Sequence, residues 1–292
     1  MSKTAWVFPG QGSQAIGMGL DLLSVPEAKT RFEQAEKILG WSIVKICQNE
    51  DDKVSQTRYT QPCLYVIETI LADLLKSRGQ QADVVAGHSL GEYSALYVAG
   101  VFDFEAGLRL IKRRAELMDN ASDGMMAALL GFDRAALESA IAQTPDVVLA
   151  NDNNAGQVVI SGTPDAVEAI LNQVKSKRAV RLNVSGAFHS PLMADAAAQF
   201  QTVLDTVEFQ TAQIPVLSNV DPTPSTIASE LKDRLNRQMT ESVRWREISL
   251  QLPELGIDRV VEVGPGKVLT GIIKRTCPDL TLENVGSVAE FP

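Results

Sequence analysis

Gly87-His88-Ser89-Leu90-Gly91 is the stretch of this sequence whose residue types and spacing most directly suggest chemistry. Glycines placed two residues either side of a serine let a chain leave a strand, turn sharply and enter a helix. Asp83-Val84-Val85-Ala86 supplies the strand, and a helical pattern follows through Val98. A serine at such a tip projects its hydroxyl at a helix N-terminus, where N–H groups and the helix dipole favour a developing oxyanion. The N–H of Leu90, the residue after the nucleophile, is the expected donor. A glycine-rich turn with a capping serine would use the same letters, but the strand before and the helix after favour a nucleophile.

Ser89 then needs a base near neutral pH, and imidazole suits that work best. The chain has two histidines, His88 and His189. Neighbours on a sharp turn point in different directions, so His88 is expected to pack and hydrogen-bond beneath the elbow. That leaves His189, in Gly186-Ala187-Phe188-His189-Ser190-Pro191. Asp195 and Asp221 are the acids that could complete a triad, and a main-chain carbonyl orienting the ring is equally consistent.

The third group is an arginine. On a helix over Phe104–Asn120, at about 100° per residue, Phe104, Leu108, Ile111, Ala115 and Met118 form one stripe. Arg114 falls inside that apolar arc, whereas Arg113 sits at the border of the solvated face. A buried charge needs a partner. A core Asp or Glu would serve; so would the anionic end of a substrate. The planar guanidinium grips a carboxylate with two parallel bonds, so Arg114 beside a serine nucleophile suggests an acyl group ending in a carboxylate. Gly10-Gln11-Gly12-Ser13-Gln14 follows the first strand and could supply a second oxyanion N–H. It lacks the lysine of a phosphate loop. Glu262-Val263-Gly264-Pro265-Gly266-Lys267 reads as a tight turn into a helix.

Positioning these groups requires an α/β frame. Short apolar runs at Thr4–Phe8, Asp83–Ala86, Pro215–Val220 and Arg259–Val263, with Val285 in a last short one, read as buried parallel strands; helical patterns such as Pro62–Arg78 lie between them. From Gly124 to Ser185 the rhythm changes. Met125–Leu130, a helix capped by Asp133, a hairpin of Val147–Asn151 and Gln157–Ser161, a helix capped by Thr163 with Pro164 at its first position, and Val180–Val184 give β-α-β-β-α-β. The expected architecture is a large α/β-hydrolase-like domain with a parallel sheet (1–123 and 186–292) and an inserted ferredoxin-like subdomain (124–185), with the ligand cleft between them.

Composition limits what such a site can serve. The 292 residues carry 27 Lys and Arg against 36 Asp and Glu, a net charge of −9, which argues against nucleic acid. Cys47, Cys63 and Cys277 match neither a disulfide framework nor a zinc site, so a reducing compartment is expected. The first ten residues are too short and polar for a signal peptide, and no run approaches a membrane span. A cytoplasmic monomer without metal or cofactor is the expectation.

With the glycine loop at Gly10–Gln14, the elbow through Glu92, Arg114, Gly186–Ser190 and Glu262–Lys267 in order, the sequence resembles the malonyl-CoA:acyl carrier protein transacylase family of bacterial-type fatty acid synthesis. The resemblance runs from Phe8 to Arg275. It implies Ser89 as the acylated nucleophile, His189 as its base, the amides of Gln11 and Leu90 as the oxyanion hole and Arg114 as the reader of the malonyl carboxylate. Phe188 before the histidine fits the malonyl-type pattern. The resemblance places the carbonyl that orients the histidine at Arg244. It also implies malonyl-CoA and acyl carrier protein as partners. A free-standing polyketide acyltransferase shares these motifs, and an α/β-hydrolase-type thioesterase or esterase would share the elbow and histidine but not need Arg114. Acyl carrier proteins are acidic, so docking calls for a local basic patch: Lys175, Lys177, Arg178 and Arg181 are the densest cluster, with Lys274 and Arg275 as the other option.

Overall fold

The computed structural model describes residues 3–184 and 186–291. Nine strands form among them: β1 Lys3–Phe8, β2 Val84–Gly87, β3 Met125–Phe132, β4 Val147–Asn154, β5 Gln157–Gly162, β6 Ser176–Arg181, β7 Val216–Leu217, β8 Ile257–Val263 and β9 Thr281–Val285. β7, β2, β1, β8 and β9 lie in that order in one sheet, and every neighbouring pair is parallel. A parallel sheet is covered on both faces, which is why β1 is an unbroken apolar run from Ala5 to Phe8. Trp6 and Phe8 point to one face, toward the helices Thr57–Ser77 and Phe104–Asp119. Ala5 and Val7 point to the other, against Trp245, Ile248 and Leu269.

β3 to β6 form a separate antiparallel sheet, order β4-β5-β3-β6, with the helices Arg134–Gln143 and Pro164–Gln173 in the connections. Asp133 and Thr163 cap those helices as expected, each accepting from a main-chain N–H three residues on. The period-2 alternation of β3 divides its side chains between two cores. Ala127 and Leu129 join Leu137, Ile160 and Ile170 in a core of their own, while Met126 faces the main core. Two backbone bonds tie β4 to the large unit: Val243 N to Ala150 O at 2.8 Å and Asp152 N to Val243 O at 2.9 Å. Asp152 then accepts from Arg134 and Arg246 at 2.7 and 3.0 Å.

Two expected strands end differently. The last strand of the small sheet is Ser176–Arg181 rather than Val180–Val184. It pairs with β3 alone, so an exposed, charged edge strand is tolerated. Leu182 and Val184 are left to turn into the cleft. The expected strand Pro215–Val220 pairs only at Val216 and Leu217. Beyond these the chain leaves the sheet, and the Asn219 side chain is directed at the serine turn. Ser185, the expected last residue of the insertion, lies outside the described residues.

Candidate active site

β2 ends at Gly87, and Ser89 takes φ +50°, a left-handed conformation that costs a non-glycine residue about 1–3 kcal/mol. The flanking glycines are required by contact. A Cβ on Gly87 would stand 1.9 Å from the carbonyl of Gly91, and one on Gly91 would stand 2.0 Å from Phe8 O. The turn is then pinned from outside. Asn219 Oδ1 accepts from Ser89 N at 2.7 Å, its Nδ2 donates to Gly87 O at 2.6 Å, and Gln238 Nε2 donates to Ser89 O at 2.9 Å.

His189 also has a positive φ, +56°. Its Nε2 lies 2.8 Å from Ser89 Oγ, and its Nδ1 lies 2.8 Å from Gln238 O. A carbonyl can only accept, so the proton sits on Nδ1, and Nε2 is left to accept the serine proton. The orienting carbonyl is therefore that of Gln238, which corrects the expectation of Arg244. Arg244 stands at the start of the helix Trp245–Glu254, and its carbonyl accepts the helical bond from Ile248 N. Its guanidinium pairs with Glu247 at 2.6 Å. Neither expected acid reaches the ring. Asp221 pairs with Arg234 at 2.8 Å, and Asp195 lies exposed in the first turn of the helix Ala194–Leu204. Ser89 and His189 thus form a hydrogen-bonded pair whose ring is oriented by a carbonyl. His88 turns away from the serine, its Nε2 2.9 Å from Asn153 Oδ1 and its ring against Trp245.

Burial, followed by the positive charge of Arg114, pulls the His189 pKa down to about 3. Proton abstraction needs the neutral imidazole, and a lowered pKa keeps it neutral as pH falls. The single-turnover rate of Ser89 acylation is therefore expected to stay level from pH 8 to about pH 5. An unperturbed histidine would lose most of the rate below about pH 6.5. Stopped-flow acylation across that range checks this, and a limb near 6.5 would refute it.

Arg114 is fully buried on the helix Phe104–Asp119. Its Nη1 donates to Gln61 Oε1 at 2.8 Å; its Nη2 donates to Gln238 Oε1 and to Ser89 Oγ, each at 3.0 Å. Among the described residues no carboxylate forms an ion pair with it, and Nε has no partner. Burial lowers its pKa; Tyr93 and Glu92 act in the other direction. Neutral amides and a hydroxyl thus hold a guanidinium in the protein interior, leaving its charge open to an anionic ligand. The group faces a cavity of about 80 Å³ shared with Ser89, His189, Gln11 and Leu90, and walled by Met118, Met126, Leu182, Val184 and Phe188. That space suits a short acyl group. Gln11 is held by a bond from its Nε2 to Thr57 Oγ1 at 3.0 Å. Among the described residues, neither the Gln11 nor the Leu90 main-chain N–H has a protein acceptor.

Four polar residues of this site were missed in the sequence: Gln61, Asn219, Gln238 and Glu92. Glutamine and asparagine outside a motif carry no spacing signal. Glu92 does, since it follows the Gly-x-Ser-x-Gly turn directly. Arg113 is a surface group, paired with Gln199 and Glu116. Glu262 accepts from the N–H groups of Leu269 and Thr270 at 2.9 and 2.8 Å, so the Gly264–Lys267 turn locks a helix to the sheet and does not line the cavity.

The family described as acyl transferase domain matches residues 5–290. A malonyl CoA-acyl carrier protein transacylase of Synechocystis sp. is 60% identical over 289 residues, covering 99% of both chains. The crystal structure of the Synechocystis enzyme superimposes with a TM-score of 0.98 over 99% of each chain. A malonyl-transacylase solved in complex with its type II polyketide acyl-carrier protein is 36% identical, with a TM-score of 0.94 over 99% of this chain and 98% of that one.

Proposed function

Because the chain belongs to the acyl transferase domain family, we infer that it moves malonyl groups from coenzyme A to the phosphopantetheine thiol of acyl carrier protein, supplying fatty acid synthesis. The observation that carries this reading is Arg114: a fully buried guanidinium, with no carboxylate ion pair among the described residues, 3.0 Å from Ser89 Oγ. A hydrolase of neutral esters has no use for it.

The reaction runs in two halves. His189 Nε2 takes the Ser89 proton as Oγ attacks the thioester carbonyl, and Arg114 holds the malonyl carboxylate. The negative charge that develops on the carbonyl oxygen is received by the Gln11 and Leu90 amides. The C–S bond breaks, His189 returns its proton to the departing CoA sulfur, and a malonyl ester remains on Ser89. In the second half the carrier-protein thiol gives its proton to His189 and attacks that ester. The C–O bond breaks, and Ser89 Oγ recovers the proton. Nucleophile, base and charge stabilisation all come from protein groups, so the reaction as written uses no metal or organic cofactor. They all come from one chain, which supports action as a monomer, and the three buried free thiols fit a reducing, cytoplasmic setting. The strand order of the small sheet supports a ferredoxin-like insertion, and the strand–serine–helix turn supports a hydrolase-like larger domain. Phe188 closes the wall beside His189 and is proposed to limit branching at the malonyl C2.

Incubation with malonyl-, methylmalonyl- and acetyl-CoA tests this reading. Intact-mass spectrometry should find a malonyl adduct on Ser89, discharged by acyl carrier protein. An equal adduct from acetyl-CoA, or release of free malonate faster than transfer, would overturn it.

Docking falls to the edge strand β6 and the residue before it. Lys175, Lys177 and Arg178 are exposed, and the same segment continues into Leu182 and Val184 of the cavity wall. Arg181 is already held by Glu168 through two bonds of 2.6 Å. Reversing the charges of Lys175, Lys177 and Arg178 is expected to raise the carrier-protein KM about tenfold at low salt, and less at high salt. Acylation by malonyl-CoA should be unchanged. An unaltered KM would move docking to Lys274 and Arg275, which are exposed on the helix Val268–Thr276.

A further inference from the structure

Glu92 is fully buried in the first turn of the helix that follows Ser89. A buried carboxylate needs strong hydrogen bonds. Its Oε2 accepts from Gln238 Nε2 at 2.7 Å and from Asn219 N at 3.2 Å. Those two partners touch Ser89, His189 and Arg114. Asn219 holds Ser89 N and Gly87 O. Gln238 holds His189 Nδ1 through its main chain, and Ser89 O and Arg114 Nη2 through its side chain.

The chemistry of the amide gives this arrangement a direction. An ionised carboxylate only accepts and a guanidinium only donates. A primary amide between them has one orientation that satisfies both, Nε2 toward Glu92 and Oε1 toward Arg114. We infer that Glu92 is a positioning residue for carboxylate recognition: by fixing the Gln238 amide, it presents an acceptor to Arg114 and sets the direction in which the guanidinium meets the substrate. Burial raises the Glu92 pKa, and the bonds from Gln238 and Asn219 and the charge of Arg114 act in the other direction; in its ionised form, two hydrogen bonds away, it offsets the buried cation without occupying the face the malonyl carboxylate needs. A direct Glu–Arg ion pair would block that face. The role rests on the malonyl-transfer reading above and adds a residue the reaction does not touch.

Glu92→Gln tests it, because glutamine keeps the shape and loses the acceptor-only character. An amide at position 92 can satisfy Gln238 in either orientation, and one of them turns Nε2 toward Arg114, donor against donor. Loss of a charge-assisted bond of this kind costs on the order of 10- to 100-fold. The malonyl-to-acetyl ratio of kcat/KM for Ser89 acylation is therefore expected to fall by at least about tenfold, while acetyl acylation changes by less than about threefold. Glu92→Asp, which keeps the charge, should retain most of the ratio. Gln238→Leu, which keeps the main-chain carbonyl on His189, should lower the ratio as Glu92→Gln does while also slowing acetyl acylation through the lost bond to Ser89 O, and serves if Glu92→Gln does not fold. A general structural role would lower both substrates equally and is not rescued by charge. Equal losses, or an unchanged ratio in Glu92→Gln and Gln238→Leu, would overturn the assignment while a wild type that acylates normally leaves the transfer reading intact. A wild type with no malonyl adduct would overturn both.

Discussion

Replacing Arg114 by alanine is expected to lower malonyl acylation of Ser89 on the order of 100- to 1000-fold, the cost of leaving a carboxylate without its buried partner. Acetyl acylation should stay within about tenfold, since an acetyl group has nothing for the guanidinium to hold. The resting geometry sharpens this expectation. Arg114 Nη2 donates to Ser89 Oγ, and its charge is the second cause of the low His189 pKa. In the free protein the arginine thus works against the dyad: it draws electron density from the nucleophile and weakens the base. A malonyl carboxylate on the guanidinium neutralises that charge and relieves both effects, so recognition and activation are coupled. An acetyl group brings no such relief, and removing Arg114 supplies it artificially. The acid limb of acetyl acylation in Arg114→Ala should accordingly move up from near pH 3 toward the ordinary histidine value. Single-turnover acylation with both thioesters across pH 4–8 reads the two rate ratios and whether an acid limb has moved into that range in Arg114→Ala. Equal losses for the two substrates would end the role of Arg114 as carboxylate reader.

Residue type and local pattern made most of this site legible. Strand, sharp turn and helix around Ser89 are local, and periodicity alone placed Arg114 on a buried face. His189 emerged by elimination because the chain holds only two imidazoles. The orienting carbonyl was not accessible in the same way. Every residue has a carbonyl, so nothing in the side chains from Gln238 to Arg244 says which one faces a ring on another segment. That choice is set by where the chain turns before the helix Trp245–Glu254, a tertiary matter. The amide network was hidden for a related reason. Gln61, Asn219 and Gln238 come from three distant segments and act by orientation. The expected strands run on to Val184 and Val220, past the observed pairing, because apolar residues facing a cleft look, in one dimension, like residues facing a sheet.

Ser89 and His189, the proposed nucleophile and base, give the largest expected effects. Ser89→Ala should form no acyl adduct with malonyl-CoA, and transfer to carrier protein should fall by at least about 10⁴-fold. His189→Ala should fall by about 10³- to 10⁴-fold, because the serine hydroxyl then keeps its proton. The two groups form one device, joined by a 2.8 Å bond, so their losses should not multiply. The double variant Ser89→Ala/His189→Ala is expected to be no slower than Ser89→Ala alone. Full multiplication would mean that the histidine acts on something other than the serine proton. The carbonyl on Nδ1 sets a further limit on the device. An aspartate beside the ring would stabilise an imidazolium, whereas the Gln238 carbonyl stabilises it less. In a site that already depresses the pKa to about 3, a charged imidazole is short-lived, and the proton passes quickly to the departing sulfur. So weak a base suffices for a thiol, which at a pKa of about 8.5 gives up its proton far more readily than water or an alcohol does, and a thiolate leaves with little help from an acid. Thioester exchange therefore suits a dyad of this kind. Oxyester hydrolysis by the wild-type protein should be far slower than malonyl transfer between thiols, and comparison of p-nitrophenyl acetate turnover with malonyl transfer to carrier protein measures it directly.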